Sequence, residues 1–318
     1  MNDASLSKPD RMRHRILLPD ELGRHFTVQQ AAAAGIGRGR VSARDLDRPF
    51  RGVRSVTAAE TPLDRVAALA TRLQRGQLIG GESAMHVWGY PYPGIWSVHA
   101  PIVVVVATGS ARVRRSGVAG RRRAEGRTVP WRVDGIPIID PIAALFMCAA
   151  ALTEDQVVIA LDALISEADN YPGLRAGRPP HTVTDIEQRL QAWGRFPGSC
   201  RVRDGLSRAR EGVESPKETE TRLLIVSGGL PEPVVQHEVH ESGLLIARSD
   251  LAYPDLKIAI EYEGDGHRTS RDQWRRDIQR QRELEDLGWI VIRVTQLDLA
   301  RDAAPLLDRI RRARSSRR

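Results

Sequence analysis

Three carboxylates stand at a spacing that could hold a divalent cation: Asp250, Glu261 and Glu263. Asp250 ends one β-prone run, Leu244 to Asp250, and Glu261 and Glu263 lie two apart on the next, Lys257 to Glu263. Residues two apart on a strand share a face. The AYPD turn between the runs makes the strands neighbours, so Asp250 can stand beside Glu261. Acids gathered in this way repel one another unless a cation neutralises them. Oxygen donors with positions left for water suit Mg²⁺ or Mn²⁺. A cation so held can activate water and neutralise charge on a phosphodiester. Gly264 and Gly266 allow close backbone approach. His267 follows at once and could position or deprotonate a water; as a turn residue it would have no chemistry. Tyr262 and Trp289 read as core, and His25, His237 and His240 show no ligand spacing.

The elements that must position these acids are legible. Ser215, Pro216 and Glu218 supply an N-cap, a proline at the first helical position and an acid in the first turn. That helix runs to about Ser227 and stops at Gly228-Gly229. Strands are predicted over Val234–His240, Leu244–Asp250 and Lys257–Glu263, then a charged helix from Arg271 to Leu287 ended by Gly288. A buried strand WIVIRV and a terminal helix from Leu299 to Ala313 follow. The order is α-β-β-β-α-β-α, which makes residues 211–318 a domain. In plain structural terms Glu218 is an acid favoured by the helix dipole, and Asp277 and Arg280 are an i,i+3 surface pair.

Upstream, residues 1–20 read as a disordered, polar N-terminus. Thr27 is a good N-cap for VQQAAAA, Gly35 stops that helix, and a second helix is expected from Arg38 to Asp47, carrying Arg38, Arg40 and Arg44. With a short strand over Val53–Val56, residues 21–60 fit a helix-turn-helix with a wing, whose arginines could meet phosphates and guanine edges. Residues 61–210 read as a mixed α/β middle domain. Helices are expected at 62–76, 140–150, 153–168, 182–194 and 199–211, with a strand at 98–107. Seven arginines fall between Ala111 and Arg127 against one glutamate. Arg112, Arg114, Arg115, Arg121, Arg122 and Arg123 among them are candidate phosphate contacts, although a charge run is also the usual form of a solvated face.

Composition bounds the partners. With 41% hydrophobic and 28% charged residues the chain has globular composition, and 318 residues suit two or three domains. The net charge of +8 is unevenly spread: residues 211–318 carry −2 and the rest +10. A basic N-terminal part points to a polyanion, most simply nucleic acid. No run is long and apolar enough to cross a membrane, the N-terminus lacks a signal-peptide core, and two distant cysteines fit a reducing cytoplasm.

Two resemblances add to this reading. RSDLAYPDLKIAIEYEGDGHR followed by DIQRQRELEDLGWIVIRVT resembles the nuclease-like domain related to very-short-patch repair endonucleases, an uncharacterised subfamily of the PD-(D/E)XK superfamily. The likeness covers about residues 213–312. It implies that Asp250 and Glu261 ligate metal, Mg²⁺ or Mn²⁺, that Glu218 is the acid of the first helix and His267 the histidine after the third strand. Asp277 and Arg280 match the polar positions of the long helix. Glu263 stands where the broad class has the lysine of its E-x-K motif, an exchange common in the subfamily. The segments FTVQQAAAAGIGRGRVSARDLDRPFRGVRSV, GGESAMHVWGYPYP and PIIDPIAALFMCAAALTEDQVVIALDALI are similar to AbiEi-type antitoxins. The GGES here stands where that family often has SHES. This likeness implies a DNA-binding winged helix over residues 26–56 and leaves any toxin partner undefined.

The expectation is therefore an α+β multidomain chain: a winged-helix-like N-terminal part, a mixed α/β middle domain and a restriction-endonuclease-like C-terminal domain. Its function would be metal-dependent hydrolysis of DNA phosphodiesters in repair or in defence against phage and mobile elements. The alternative is an antitoxin-like regulator whose nuclease fold does not cleave.

Overall fold

The computed structural model describes residues 17–264, 271–300 and 302–317, with residues 271–277 as backbone alone. The expectations placed on residues 1–16, on His267 and on the Asp277 side chain lie outside the described residues.

The chain opens with β1 (His25–Thr27), α1 (Val28–Ala33), α2 (Arg38–Val41) and β2 (Val53–Ser55). Thr27 caps α1 as its sequence predicts: its hydroxyl accepts from Gln30 N at 3.0 Å, and Thr27 N donates to the Gln30 side chain at 2.7 Å. The helix expected from Arg38 to Asp47 is a single turn that ends at Val41. Two contacts end it. Arg54 Nε donates to Val41 O at 2.7 Å, and Asp47 bridges to Ser55 beside β2. β1 and β2 pair antiparallel, with Phe26 opposite Arg54. Phe26, Ala31, Val41 and Leu46 are buried together beneath them.

A six-stranded mixed sheet follows. Its elements are α3 (Pro62–Ala70), β3 (Leu78–Ile79), α4 (Gly81–Trp88), β4 (Ile102–Ala107), β5 (Arg114–Arg115), β6 (Val118–Arg123), β7 (Pro130–Val133), β8 (Ile136–Ile139), α5 (Pro141–Cys148), α6 (Glu154–Ile165), α7 (Val183–Trp193) and α8 (Ser199–Arg208). The strand order is β5-β6-β4-β3-β8-β7. The valine run of β4 is buried because a strand lies on each side of it and α4 packs over it. The β7–β8 hairpin turns at Asp134-Gly135, both at positive φ (49° and 78°), the pair a tight two-residue turn favours. Gly89 ends α4 at φ 78°, where a Cβ would overlap Gly173 O.

The C-terminal part holds α9 (Pro216–Ser227), β9 (Val234–Glu241), β10 (Leu244–Tyr253), β11 (Ile258–Tyr262), α10 (Arg271–Asp286), β12 (Ile290–Val294), α11 (Gln296–Ala300) and α12 (Ala304–Ser315). The expected order is present. The terminal helix comes in two pieces, and Asp302 Oδ1 accepts from Ala304 N at 2.9 Å where the second begins, one residue before Pro305. The four strands run β12-β11-β10-β9, with β11 and β12 parallel across α10 and the other pairs antiparallel. Leu251, Ile258, Ile260 and Ile292 cluster with Ile225 of α9 and with Leu306, Leu307 and Ile310 of α12. Ala252 and Ala259 cluster instead with Leu284 and Trp289, small residues that let α10 lie close. The sheet is thus sandwiched between α9 with α12 and α10.

Helix α9 also packs on α6 of the middle sheet. Arg222 and Asp162, both fully buried, pair at 2.8 Å across that joint. Thr219 Oγ1 and Arg210 N donate to the same carboxylate.

Candidate active site

The site is built where β10 and β11 run side by side. Their register pairs Leu251 with Ile260. One step further along stand Asp250 and Glu261, beside each other as the spacing predicts. Tyr262 N donates to Asp250 Oδ2 at 2.8 Å, tying the acid to the next strand. Glu218 comes from the first turn of α9 and is 6% exposed. Its carboxylate accepts from Glu214 N at 2.9 Å, Ser215 Oγ at 2.8 Å and Gln236 Nε2 at 2.9 Å. Arg280 of α10 reaches back to Glu261 Oε2 at 3.0 Å.

Burial and crowding set the electrostatics. Asp250 is pushed up to about 7, first by desolvation and then by the charges of Glu218 and Glu261; the Tyr262 N–H and Arg280 work against the shift. Glu218 is raised as well, by desolvation, against the pull of its three donors. Glu261 Oε1 is buried and accepts no hydrogen bond from any described residue. A buried carboxylate oxygen without a donor, beside an acid whose proton is held toward neutrality, fits a cation. Mg²⁺ keeps several waters and needs only one or two carboxylates, so Asp250 and Glu261 suffice in number.

Two expectations need correcting. Glu263 does not converge with the other acids. It lies just beyond β11 and pairs with Arg293 of β12 at 3.1 Å. Among the described residues no three of His, Cys, Asp and Glu are grouped to hold one ion, so neither Glu263 nor Glu218 stands as a third ligand with Asp250 and Glu261. Arg40 does not face outward: its side chain is 8% exposed and pairs with Asp45 at 3.1 Å, because the short α2 turns it into the body. Arg38 and Arg44 are exposed.

Of the middle-domain arginines, Arg112, Arg114, Arg121 and Arg122 are exposed around the β5–β6 hairpin. Arg121 pairs with Glu82 at 3.4 Å, and Arg122 donates to Ser110 O at 3.2 Å. Arg115 and Arg123 are half-buried. Gln236 and Arg293, both joined to the candidate acids, escape the sequence reading because no local spacing ties either of them to those acids. Only the register brings them to the site.

Residues 232–313 match the family model REase_MTES_1575, which supports a restriction-endonuclease-like C-terminal domain, and the fold is consistent with one. The matched stretch begins after α9, so Glu218 lies outside it. The chain is similar to the uncharacterized proteins MT2308 and Rv2248 of two Mycobacterium tuberculosis strains, CDC 1551 / Oshkosh and H37Rv. Each is 34% identical over 129 residues, covering 41% of this chain and 48% of the relative. The chain thus spans about half the length of the curated relatives it matches. The crystal structure of the RV2827C protein from Mycobacterium tuberculosis superposes with a TM-score of 0.38 at 17% identity, over 71% of this chain and 90% of that one. A likeness that low carries no argument.

Proposed function

We propose that the chain is a DNA-binding protein whose C-terminal domain hydrolyses DNA phosphodiesters with Mg²⁺ or Mn²⁺. The observation that carries this reading is Asp250 and Glu261 side by side on adjacent strands, with Asp250 pushed up to about 7 by burial and by the charges of Glu218 and Glu261. Asp250 and Glu261 would hold the cation, and Glu218 would border it and orient a water. The cation supplies an activated water and neutralises charge on the phosphate. Arg280, now on Glu261, is a positive group placed to meet a bound phosphate. The likeness to the repair-endonuclease subfamily supports the same roles and adds His267. The basic first 210 residues would hold the duplex through the winged-helix-like segment and the β5–β6 arginines, as the AbiEi likeness also suggests.

A second reading, a regulator that binds DNA without cutting it, rests on one observation: the E-x-K lysine position is Glu263, and it is engaged by Arg293. One assay separates the two. Plasmid, linear and mismatched duplexes are incubated with the full chain in Mg²⁺, Mn²⁺ or EDTA, beside Asp250→Ala and Glu261→Ala. Metal-dependent cleavage lost in both variants is expected, with a loss of at least 10²-fold, the usual scale for a principal charge-stabilising group. Tight binding with no cleavage of any substrate would falsify the nuclease reading and leave the regulator.

A further inference from the structure

One residue beside the site is held in a backbone conformation that side chains rarely adopt. Gln236 sits within β9 at φ 49°. The register on either side of it is regular: Val235 stands opposite Leu251, and His237 opposite Ser249. The position on β10 opposite Gln236 is therefore that of Asp250. Its amide reaches the Glu218 carboxylate at 2.9 Å. The other two donors to Glu218, Glu214 N and Ser215 Oγ, belong to the entry of its own helix. Gln236 is thus the link between the acid on α9 and the strand carrying Asp250's neighbour.

A left-handed residue other than glycine persists only where the surroundings hold it, and such residues gather at functional sites. The residue type matters too. An arginine or lysine here would satisfy Glu218 but would also place a fixed positive charge where the acids are to attract a divalent cation. An amide donates to the carboxylate while leaving the negative charge intact. No acid or base function follows from this, since an amide does not titrate.

We propose that Gln236 is a positioning residue of the cation site: its amide fixes the Glu218 carboxylate near Asp250 so that Glu218 can reach the waters of a cation held by Asp250 and Glu261. The role rests on the metal-dependent nuclease reading given above. It predicts that the amide, and not the backbone shape of β9, is what the site requires.

Gln236→Ala and Gln236→Gly separate these two contributions. Both remove the amide. Glycine adopts a positive φ freely, so Gln236→Gly should melt above Gln236→Ala. Both variants should nevertheless lose function equally: Mn²⁺ affinity, read from free Mn²⁺ by electron paramagnetic resonance, about tenfold weaker, and kcat about 10–100-fold lower with KM for the duplex unchanged. If Gln236 were only a strap pinning β9 to α9, Mn²⁺ affinity and kcat would follow melting temperature, with glycine partly rescuing alanine; that ordering overturns the proposal. Wild-type affinity for Mn²⁺ in both variants overturns it also. A wild-type chain that binds no Mn²⁺ overturns the metal reading itself and this role with it, so the two failures are told apart by the wild-type titration.

Discussion

At Asp250 the physics of the site becomes a stability statement. The folded chain holds this proton more tightly than an ordinary carboxyl at 3.8 does, since burial, Glu218 and Glu261 push Asp250 up to about 7. A group whose pKa rises on folding binds more protons folded than unfolded between those two values. Stability therefore falls as pH rises from about 4 to 7 and stays low above that. Asp250→Asn removes the charge. It should stabilise the metal-free chain by about 1–3 kcal/mol at pH 8 and by almost nothing at pH 4, measured by urea denaturation in EDTA. A difference that does not change with pH would mean Asp250 is not strained by its neighbours. The approach of Asp250 to Glu261 was legible in the sequence, because a strand period of two and a short turn leave few alternatives. The turning of Glu263 to Arg293 was not, because it depends on which strand lies parallel to β11 and at what register.

Helix α9 serves two neighbours. Its first turn brings Glu218 to the acids, while Thr219, Arg222 and Leu223 face α6 of the middle sheet. Arg222 is among the largest fully buried side chains, 1% exposed, and spans Asp162 at 2.8 Å and Glu232 at 2.7 Å. Burial raises Asp162 while Arg222 and the Arg210 and Thr219 donors oppose the shift. Arg222→Met would leave the Asp162 carboxylate buried without its cation and should cost about 3–5 kcal/mol. Adding Asp162→Asn removes the stranded charge, keeps an acceptor for Arg210 N and Thr219, and should restore more than half of that loss. Urea midpoints of the two variants test this; a double variant no more stable than Arg222→Met would contradict it. The sequence held a clue in the lone acid of VVIALDALI, an otherwise apolar stretch of α6. Its partner, 60 residues on, could be found only in three dimensions.

Over the whole molecule the charge is divided, with the basic excess outside the nuclease-like domain. If that excess binds duplex, Arg112, Arg114, Arg121 and Arg122 are placed to meet phosphates, being exposed around one hairpin. Changing all four to Gln should weaken binding and flatten the dependence of log affinity on log salt by up to ~3–4, at about 0.9 per phosphate contact. Arg40→Gln should lower stability while leaving the salt slope unchanged, since its guanidinium is turned in toward Asp45. Fluorescence anisotropy across a salt series reads both, and an unaltered slope in the fourfold variant would remove this surface from the DNA contact. Among the described residues no helix is long and apolar enough to cross a membrane.

The element order of the C-terminal domain, its helix caps and the pairing of Asp250 with Glu261 were set by local chemistry: the period of apolar residues, the N-cap at Ser215, the stops at Gly228 and Gly288. These depend on neighbours a few residues apart and can be read from a single chain. The short α2, the pairing of Glu263 with Arg293, the inward turn of Arg40, the Arg222–Asp162 joint and the reach of Gln236 to Glu218 were decided by tertiary structure. Each arises between residues brought together by packing and strand register, where the energy of a long polar side chain depends on which of several partners the fold leaves within hydrogen-bond reach.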